Sequence, residues 1–370
     1  MSTRSKSDQK KPNPRPPGAR KPSLSAARGL SPLLPEEERP PVTHGFFKSF
    51  DGTKLFYSVE GKGPPLVFCY GLVCSSLHWT YQIERFRQTH QCIWFDYRGH
   101  QNSDTPKDLS SLTLENIARD LKVLLDELGV QKPVFLGHSM GVNVVLEFYR
   151  QNPERVAAMV LGNGTARQPL ETLFRVNAFQ AGFKLLKAAY EKSPAAVKGL
   201  WKLAKNNPLA RTLVSFGGFN PHLTPQEDIE LYVNQVAEMD PAILIHLIGN
   251  YDSYDATAWL NSIQVPTFIF GGELDSMVPF ELQELMHQLI PGSQLEIIRH
   301  GSHCPQMDLP DLVNAKIEKF LGEIDYAGRV AESAPATQTE QPAQPTQVAA
   351  PSAEPVSTAS GTSESSSAAE

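Results

Sequence analysis

The sequence predicts an α/β protein with a mostly parallel sheet flanked by helices and with a helical insertion. Short apolar runs alternate with helical patterns from residue 64 to residue 161, which is typical of strands buried between crossover helices. The alternation stops between residues 165 and 260, where the pattern is mostly helical, and it resumes at residue 267. We therefore expect one sheet that is interrupted at about its sixth and seventh strands.

The sheet is expected to open with a hairpin, because Asp51-Gly52 is a strong turn signal between two candidate strands. Gly129 is a C-cap signal at the end of a helical pattern. Before the insertion, the predicted strands are 45–50, 54–60, 65–70, 92–97, 134–137 and 157–161, and the predicted helices are 76–87, 112–128 and 141–151. After it, the predicted elements are strand 267–270, helix 280–289, strand 294–298 and helix 309–321.

The two ends of the chain differ in composition from its middle. Residues 1–41 are basic and Pro-rich, and residues 325–370 are rich in Ser, Ala and Pro. Neither end has enough large apolar side chains to offset the entropy of ordering, so both are expected to be disordered tails. The remaining prediction is a core made of residues 42–164 and 261–324, with a helical cap at residues 165–260.

Composition sets few limits on the partners of the chain. The 370 residues carry a formal net charge of −6, and we expect no nucleic-acid partner. The sequence has no apolar run of 18 residues and no secretory signal pattern. The four cysteines form no Cys-x-x-Cys pair, which gives a weak indication of a reducing, cytoplasmic location. No His/Glu spacing suggests a metal site and no glycine pattern suggests a phosphate loop, so we expect no metal and no cofactor.

One short motif indicates nucleophilic chemistry. Gly137-His138-Ser139-Met140-Gly141 lies between a predicted strand and a predicted helix. A Gly-x-Ser-x-Gly pattern occurs by chance in roughly one chain of this length in ten. Its position here matters more, because a sharp strand-to-helix turn lifts a serine hydroxyl above the sheet edge. Ser139 is therefore a candidate nucleophile.

Four further segments give the chain a resemblance to the α/β-hydrolase superfamily across residues 45–322. They are Pro64-Pro65-Leu66-Val67-Phe68-Cys69-Tyr70-Gly71, Phe95-Asp96-Tyr97-Arg98-Gly99-His100, Gly271-Gly272-Glu273-Leu274-Asp275 and Gly301-Ser302-His303. The resemblance implies the α/β-hydrolase fold with a helical cap insertion. It also implies a cofactor-free serine hydrolase of the esterase or lipase type.

The family order of nucleophile, acid and histidine implies a triad of Ser139, Asp275 and His303. A serine hydroxyl is a weak nucleophile near neutral pH and needs an adjacent base. His303 would take the proton of Ser139 and return it to the leaving group. Asp275 would hold the imidazole tautomer and stabilise the imidazolium.

Each of these assignments has an alternative. Asp275 could serve only as the cap of the helix that follows it, and His300 competes with His303 for the role of base. Asn163 follows the sixth strand, where some relatives place their acid, but an amide cannot do that work. His138 is expected to point away from the serine and to serve packing.

The resemblance also implies an oxyanion hole made by the backbone N–H groups of Leu72 and Met140. Two positions depart from the family pattern. Tyr70 stands where the family has His, and Gln101 stands where it has Gly. Tyr70 is expected to make its supporting hydrogen bond from a different angle.

Other residues and chemistries are set aside on the same basis. Asp96 and Arg98 are expected to brace loops rather than to take part in catalysis. A serine at the turn argues against haloalkane dehalogenases and epoxide hydrolases, which resemble this chain but use Asp at that position.

The cap is basic within an otherwise acidic body. Residues 165–211 carry nine Lys/Arg and two Glu, a net charge of +7. Apolar Phe174, Phe179, Phe183, Leu186 and Trp201 interleave with Lys184, Lys187, Lys198, Lys202 and Lys205. One interpretation is a solvated helical face over an apolar contact. The other is a lid that meets anionic amphiphiles or a membrane surface.

The leading hypothesis is an enzyme that cleaves a carboxylic ester of a small-molecule apolar acyl substrate of medium chain length. Thioesters, lactones, carbon–carbon cleavage and haloperoxidase-type perhydrolysis stay open, because these reactions share the triad. A different class of function is a ligand-binding or receptor protein on a hydrolase scaffold. A complete triad in the family order favours the enzyme.

Overall fold

The computed structural model of the protein describes residues 40–167, 178–204, 207, 212 and 218–333. Most of the two predicted tails, and parts of the predicted cap, lie outside these described residues. The chain divides into a compact unit that ends at Ala331 and a separate unit that begins at Glu332. Among the described residues, no helix is both long and apolar enough to cross a membrane.

Eight strands form one mixed sheet. They are β1 (Val42–Lys48), β2 (Lys54–Glu60), β3 (Pro65–Cys69), β4 (Gln91–Phe95), β5 (Val134–His138), β6 (Ala158–Gly162), β7 (Thr267–Gly272) and β8 (Gln294–Ile298). Their spatial order is β1-β2-β4-β3-β5-β6-β7-β8. β2 pairs antiparallel with β1 and β4, and every other pair is parallel. The predicted fold class is confirmed.

The α-helices of the described residues lie between the strands, in the insertion between β6 and β7, and after β8. They are α1 (Thr80–Phe86), α2 (Leu114–Glu127), α3 (Met140–Gln151), α4 (Ala178–Lys192), α5 (Pro194–Ala204), α6 (Gln226–Glu238), α7 (Pro241–Tyr251), α8 (Glu281–Leu289), α9 (Pro305–Asp308), α10 (Pro310–Glu323) and α11 (Tyr326–Ser333). α4 to α7 belong to the insertion, which therefore carries helices where the sequence predicts them.

The central strands are apolar because helices cover both faces of the sheet. Every residue of β5, β6 and β7 is buried. Their register aligns the carboxyl ends, since His138 pairs with Gly162 and Gly162 pairs with Phe270. Gly272 pairs with Ile298 one strand further on. Loops that leave these four strands therefore start at the same edge of the sheet, where α/β proteins place their ligand sites.

The insertion packs on the loops at this edge. Tyr81 of α1 donates a hydrogen bond to Asp228 of α6 over 2.5 Å. The first residue of α2, Leu114, donates its N–H to the side chain of Asn250 on α7 over 3.1 Å. The insertion thus rests on the segments that follow β3 and β4.

The structure corrects the predicted start of the C-terminal tail. Residues 326–333 form α11 rather than disordered chain. Tyr326 is buried, and its hydroxyl donates to the carbonyl oxygen of Pro65 over 2.6 Å. The composition of the segment favours disorder, but this contact with the start of β3 is long-range and leaves no local pattern in the sequence.

Strand and helix ends differ from the predictions by a few residues, mostly where turns begin. β1 ends at Lys48 instead of residue 50, because Ser49 and Gly52 already close the turn by a backbone hydrogen bond of 2.9 Å. The predicted last helix, 309–321, corresponds to α10, and the short helix α9 before it was not predicted. The two helices are separate because Pro305 and Pro310 each begin a helix.

Candidate active site

Ser139 lies in the sharp turn between β5 and α3. Its backbone has φ +55° and ψ −124°, a conformation that costs free energy for a residue with a side chain. The two glycines that flank this turn, Gly137 and Gly141, lie where no side chain would fit. A Cβ on Gly141 would collide with the carbonyl oxygen of Cys69, and one on Gly137 would lie 2.7 Å from the carbonyl oxygen of Gly141. The turn is tied to β6 by a hydrogen bond of 3.0 Å from the N–H of Ser139 to Gly162.

The structure brings Ser139, His303 and Asp275 together. The Nε2 atom of His303 lies 3.0 Å from the hydroxyl oxygen of Ser139. Its Nδ1 atom lies 2.9 Å from a carboxylate oxygen of Asp275. The side chains of His303 and Asp275 are only 5% and 1% exposed. In this arrangement Nδ1 carries a proton toward the carboxylate, and Nε2 is free to accept one from the serine.

Asp275 has two structural duties at once. One carboxylate oxygen faces His303, and the other accepts the backbone N–H groups of Met277 and Val278 over 2.8 and 2.9 Å. Asp275 therefore does cap the following segment, but this contact uses only one of its two carboxylate oxygens. These hydrogen bonds hold the carboxylate in a fixed orientation beneath the imidazole.

Asn163 supports this carboxylate instead of replacing it. Its backbone has φ +48°, and its Nδ2 donates to Asp275 over 2.7 Å and to the carbonyl oxygen of Ser302 over 3.2 Å. Asn163 thus links the end of β6 to both the acid turn and the histidine turn. The sequence excluded it as an acid but gave no signal for this second role.

His300 takes no part in the cluster. It is exposed, has φ +63°, and donates its backbone N–H to the side chain of Glu273 over 2.9 Å. Its carbonyl oxygen accepts from the side chain of Asn220. Of the two candidate bases, the structure places His303 against Ser139.

The segment after β3 passes close to Ser139. A Cβ on Gly71 would lie 3.0 Å from the Cβ of Ser139, so the segment that leads into Leu72 passes close to the turn. On the other side, Met140 is the first residue of α3, and the N–H groups of a first helical turn have no acceptor within their helix. The segments that carry the two predicted oxyanion donors therefore meet near Ser139, and the donor roles of Leu72 and Met140 stay predictions.

The two departures from the family pattern have structural explanations. Tyr70 is buried and stacks on Tyr97, with ring centroids 4.2 Å apart. Its hydroxyl accepts the backbone N–H of Tyr97 over 2.8 Å, and the Tyr97 hydroxyl donates to the Tyr70 carbonyl over 3.0 Å. Gln101 has φ +44°, a conformation that glycine adopts at lower cost. Tyr70 thus supports the turn by pairing with the segment after β4.

Asp96 and Arg98 brace loops, as the sequence predicts. Arg98 is fully buried and bonds to both oxygens of Asp120, over 2.7 and 2.6 Å. Asp96 accepts the backbone N–H and the side-chain amide of Asn102.

His138 does more than pack against its neighbours, which corrects the sequence-based expectation. Its Nε2 lies 2.7 Å from the carbonyl oxygen of His303, and since a carbonyl only accepts, Nε2 must donate. Its Nδ1 then accepts from Nδ1 of His78 over 3.1 Å. His78 in turn stacks on Tyr232 of α6, with ring centroids 5.3 Å apart.

Both buried histidines are neutral near neutral pH. Burial, together with the nearby imidazoles of His78 and His303, lowers the pKa of His138 well below its usual range. Burial and the nearby His303 lower the pKa of His78 to about 3. The chain of contacts from α6 to the His303 backbone is therefore a set of uncharged hydrogen bonds and ring contacts.

Two of these residues also belong to a cluster with the composition of a metal site. Within the described residues, His78, His138 and Cys304 form the one group whose potential ligand atoms lie within 4.8 Å of one another. A thiol must lose its proton to bind a metal, and burial raises the pKa of Cys304 well above its usual range. Both ring nitrogens of His138 already have hydrogen-bond partners. The cluster fits a hydrogen-bonded packing unit better than a metal centre.

The histidine turn has its own anchor, which the sequence analysis did not identify. Asp308 accepts both the backbone N–H and the hydroxyl of Ser302, each over 2.6 Å. Its other oxygen accepts from Asn220 and from the hydroxyl of Thr224, both in the insertion. The turn that carries His303 is thereby held by the core and by the insertion together.

Comparison with protein families gives a match to the model of the alpha/beta hydrolase fold over residues 64–310. A protein of Azorhizobium caulinodans named "Putative carbamate hydrolase RutD" is 25% identical over 290 residues, which cover 77% of this chain and 99% of that protein. Human epoxide hydrolase 4 is 26% identical over 310 residues, which cover 78% of this chain and 84% of that protein.

Solved structures with the same fold include several hydrolases. A thermophilic esterase from Thermogutta terrifontis superposes with a TM-score of 0.64 at 22% identity, covering 76% of this chain and 99% of that chain. A bromoperoxidase from Bacillus anthracis superposes with a TM-score of 0.63 at 22% identity, covering 76% of this chain and all of that chain. At this identity the likeness shows the fold.

The contact between His138 and His303 predicts a positioning role. We expect His138→Phe, which keeps a ring but loses the donor, to slow the reaction of Ser139 with a fluorophosphonate by about tenfold to a hundredfold, because small misplacement of a base costs this much. His138→Gln retains a donor and should recover most of the rate. The measurement is the second-order labelling rate of variants with a wild-type melting curve, and wild-type labelling of His138→Phe would contradict the role.

Proposed function

The chain belongs to the alpha/beta hydrolase fold family, and from this premise we propose that it is a serine hydrolase of carboxylic esters. The observation that carries the proposal is the alignment of Ser139, His303 and Asp275, with successive distances of 3.0 and 2.9 Å. Hydrolase activity has the support of the family match and of the named relatives. The ester bond, the triad roles and the acyl group are our own proposals.

The proposed reaction passes through an acyl-enzyme. The hydroxyl oxygen of Ser139 attacks the ester carbonyl carbon while Nε2 of His303 takes its proton. The negative charge that forms on the carbonyl oxygen is stabilised by the N–H groups of Leu72 and Met140. His303 gives the proton to the departing alcohol, and a water molecule, deprotonated by the same imidazole, then releases the acid. Asp275 stabilises the imidazolium in both halves.

The identity of the nucleophile favours acyl chemistry over epoxide opening, although epoxide hydrolases are among the named relatives. A serine that attacks a carbonyl forms an acyl ester, and the oxyanion donors beside it serve that intermediate. The flanking N–H groups of Leu72 and Met140 fit this chemistry, because they can stabilise a tetrahedral oxyanion.

An apolar cluster beside the nucleophile supports an apolar acyl group. Phe183 of α4 and Ile248 of α7 are buried together, and Leu72 and Leu244 pack on them. Leu72 follows Gly71, which contacts Ser139. An acyl chain that extends from Ser139 toward the insertion would meet these side chains, which offer no charge and no hydrogen bond.

Substitution of the triad tests the proposed mechanism against a matched control. We expect Ser139→Ala and His303→Ala to lower kcat for p-nitrophenyl esters by about 10³-fold or more, because the nucleophile or its base is lost. His300→Ala removes the same side chain three residues away and should keep wild-type turnover. Fluorophosphonate labelling that disappears in Ser139→Ala gives a second readout.

The opposite results would favour another function. A folded wild-type protein that neither turns over esters nor accepts the fluorophosphonate would favour a ligand-binding protein on this scaffold. Equal loss in His300→Ala and His303→Ala would contradict the assignment of the base.

The apolar cluster predicts chain-length selectivity. Ile248→Ala enlarges the proposed acyl site, so the ratio of kcat/KM for octanoyl over butyryl p-nitrophenyl esters should change by about tenfold. Ile243→Ala is the control, because Ile243 lies on the same helix and is 4% exposed against 5% for Ile248, yet packs in a different cluster with Leu112 and Met239. An equal change of the ratio in both variants would contradict the location of the acyl site.

A further inference from the structure

The helices α4 and α5 of the insertion have one face turned toward the protein. They contact each other, and both contact α7. Phe183 of α4 and Val197 of α5 are buried, at 9% and 7% exposure. Phe183 belongs to the cluster that borders Leu72, so α4 forms a wall of the proposed acyl site, and α5 packs beside α4.

A second side of the same helices is also apolar, although it is exposed. We call it the outer face, and its members are Ala181, Leu185, Ala188, Ala196, Leu200 and Leu203. They follow the spacing i, i+4, i+7 on each helix, which aligns them on one side. Leu185, Leu200 and Leu203 are 74%, 67% and 76% exposed, the highest fractions among the exposed large apolar residues described in this chain. A helix of a globular protein ordinarily turns polar residues to solvent.

Lysines border the outer face. Residues 178–204 carry five lysines and one glutamate, a net charge of +4, while the whole chain has a charge of −6. Lys198 pairs with Asp240 over 2.8 Å. The other four, Lys184, Lys187, Lys192 and Lys202, are exposed.

We propose that the outer face docks on a lipid bilayer that contains anionic phospholipids. Exposed leucines ringed by lysines have the composition of a surface that enters the interfacial region of a membrane. Lysine ammonium groups are attracted by anionic headgroups, and the leucines gain by leaving water. Apart from the basic N-terminal segment, the rest of the chain is acidic and is repelled by the same surface, which turns the insertion toward the bilayer.

Charge favours a bilayer over a second copy of the chain. A symmetric dimer through this face would set the same patch on both partners, so one positive face would lie against another. An anionic bilayer complements both the positive charge of the lysines and the apolar side chains of the outer face. This binding does not require ester cleavage. If the proposed function holds, docking brings the acyl site close to the apolar acyl chains of the membrane lipids.

Vesicle binding of the full chain tests the proposal. The protein carries Ser139→Ala, so that no lipid is hydrolysed and a failure of the proposed function leaves the result unaffected. It is sedimented with vesicles of phosphatidylcholine, with or without added phosphatidylserine. We expect binding to the anionic vesicles that weakens as salt rises. Leu185→Ser/Leu200→Ser/Leu203→Ser and Lys184→Gln/Lys187→Gln/Lys192→Gln/Lys202→Gln should each weaken it by about tenfold or more.

Substitutions of the same kind elsewhere on the surface control for general effects. Leu312→Ser removes a leucine of α10 that is 41% exposed, and Lys62→Gln/Lys107→Gln/Lys132→Gln removes exposed lysines outside the insertion. All variants retain the basic N-terminal segment, so its contribution is constant. Wild-type binding by the leucine and lysine variants would overturn the proposal, as would absence of binding to anionic vesicles. A dimer in light scattering that the leucine variant abolishes, without vesicle binding, would assign the face to a second copy and also overturn it.

Discussion

The site depends on one close approach between the start of α3 and the end of β3. Glycine at position 141 lets the helix pass the carbonyl oxygen of Cys69, where any side chain would collide. That approach holds Ser139 at φ +55°, which lifts its hydroxyl out of the sheet edge. The same geometry brings Gly71 close to Ser139, next to the segments that carry the proposed donors Leu72 and Met140. On the proposed mechanism, a relaxed turn would displace the nucleophile and the oxyanion donors together.

His303, the proposed base, is positioned by a network that reaches from the sheet to the insertion. Asn163 ties the acid turn to the histidine turn, and His138 holds the His303 carbonyl from beneath. His78 and Tyr232 extend this chain of contacts to α6. The insertion thus contributes to the position of His303 in the proposed triad. We expect a displacement of α6 to shift the position of His303, because the groups between them are buried and close-packed.

The features that the sequence predicts are those with a local signature. The turn around Ser139 needs two glycines at fixed spacing, and the order of Asp275 and His303 after their strands follows the resemblance to the family. The unpredicted features are long-range. Nothing near Tyr326 indicates its bond to Pro65, 261 residues away, and nothing near Asn163 indicates that its amide bonds to Asp275. The motif around Ser139 includes His138, but the role of His138 depends on its contact with a carbonyl group 165 residues further along the chain.

The central claim is that the strained turn presents Ser139 as the residue that carries the acyl group. The most direct measurement is the mass of the protein after rapid acid quenching of its reaction with a p-nitrophenyl ester, followed by peptide mapping. The account predicts a mass increase of one acyl group during the burst, located on the peptide that contains Ser139. Ester turnover with the acyl group on another residue, or undiminished turnover by Ser139→Ala, would contradict it.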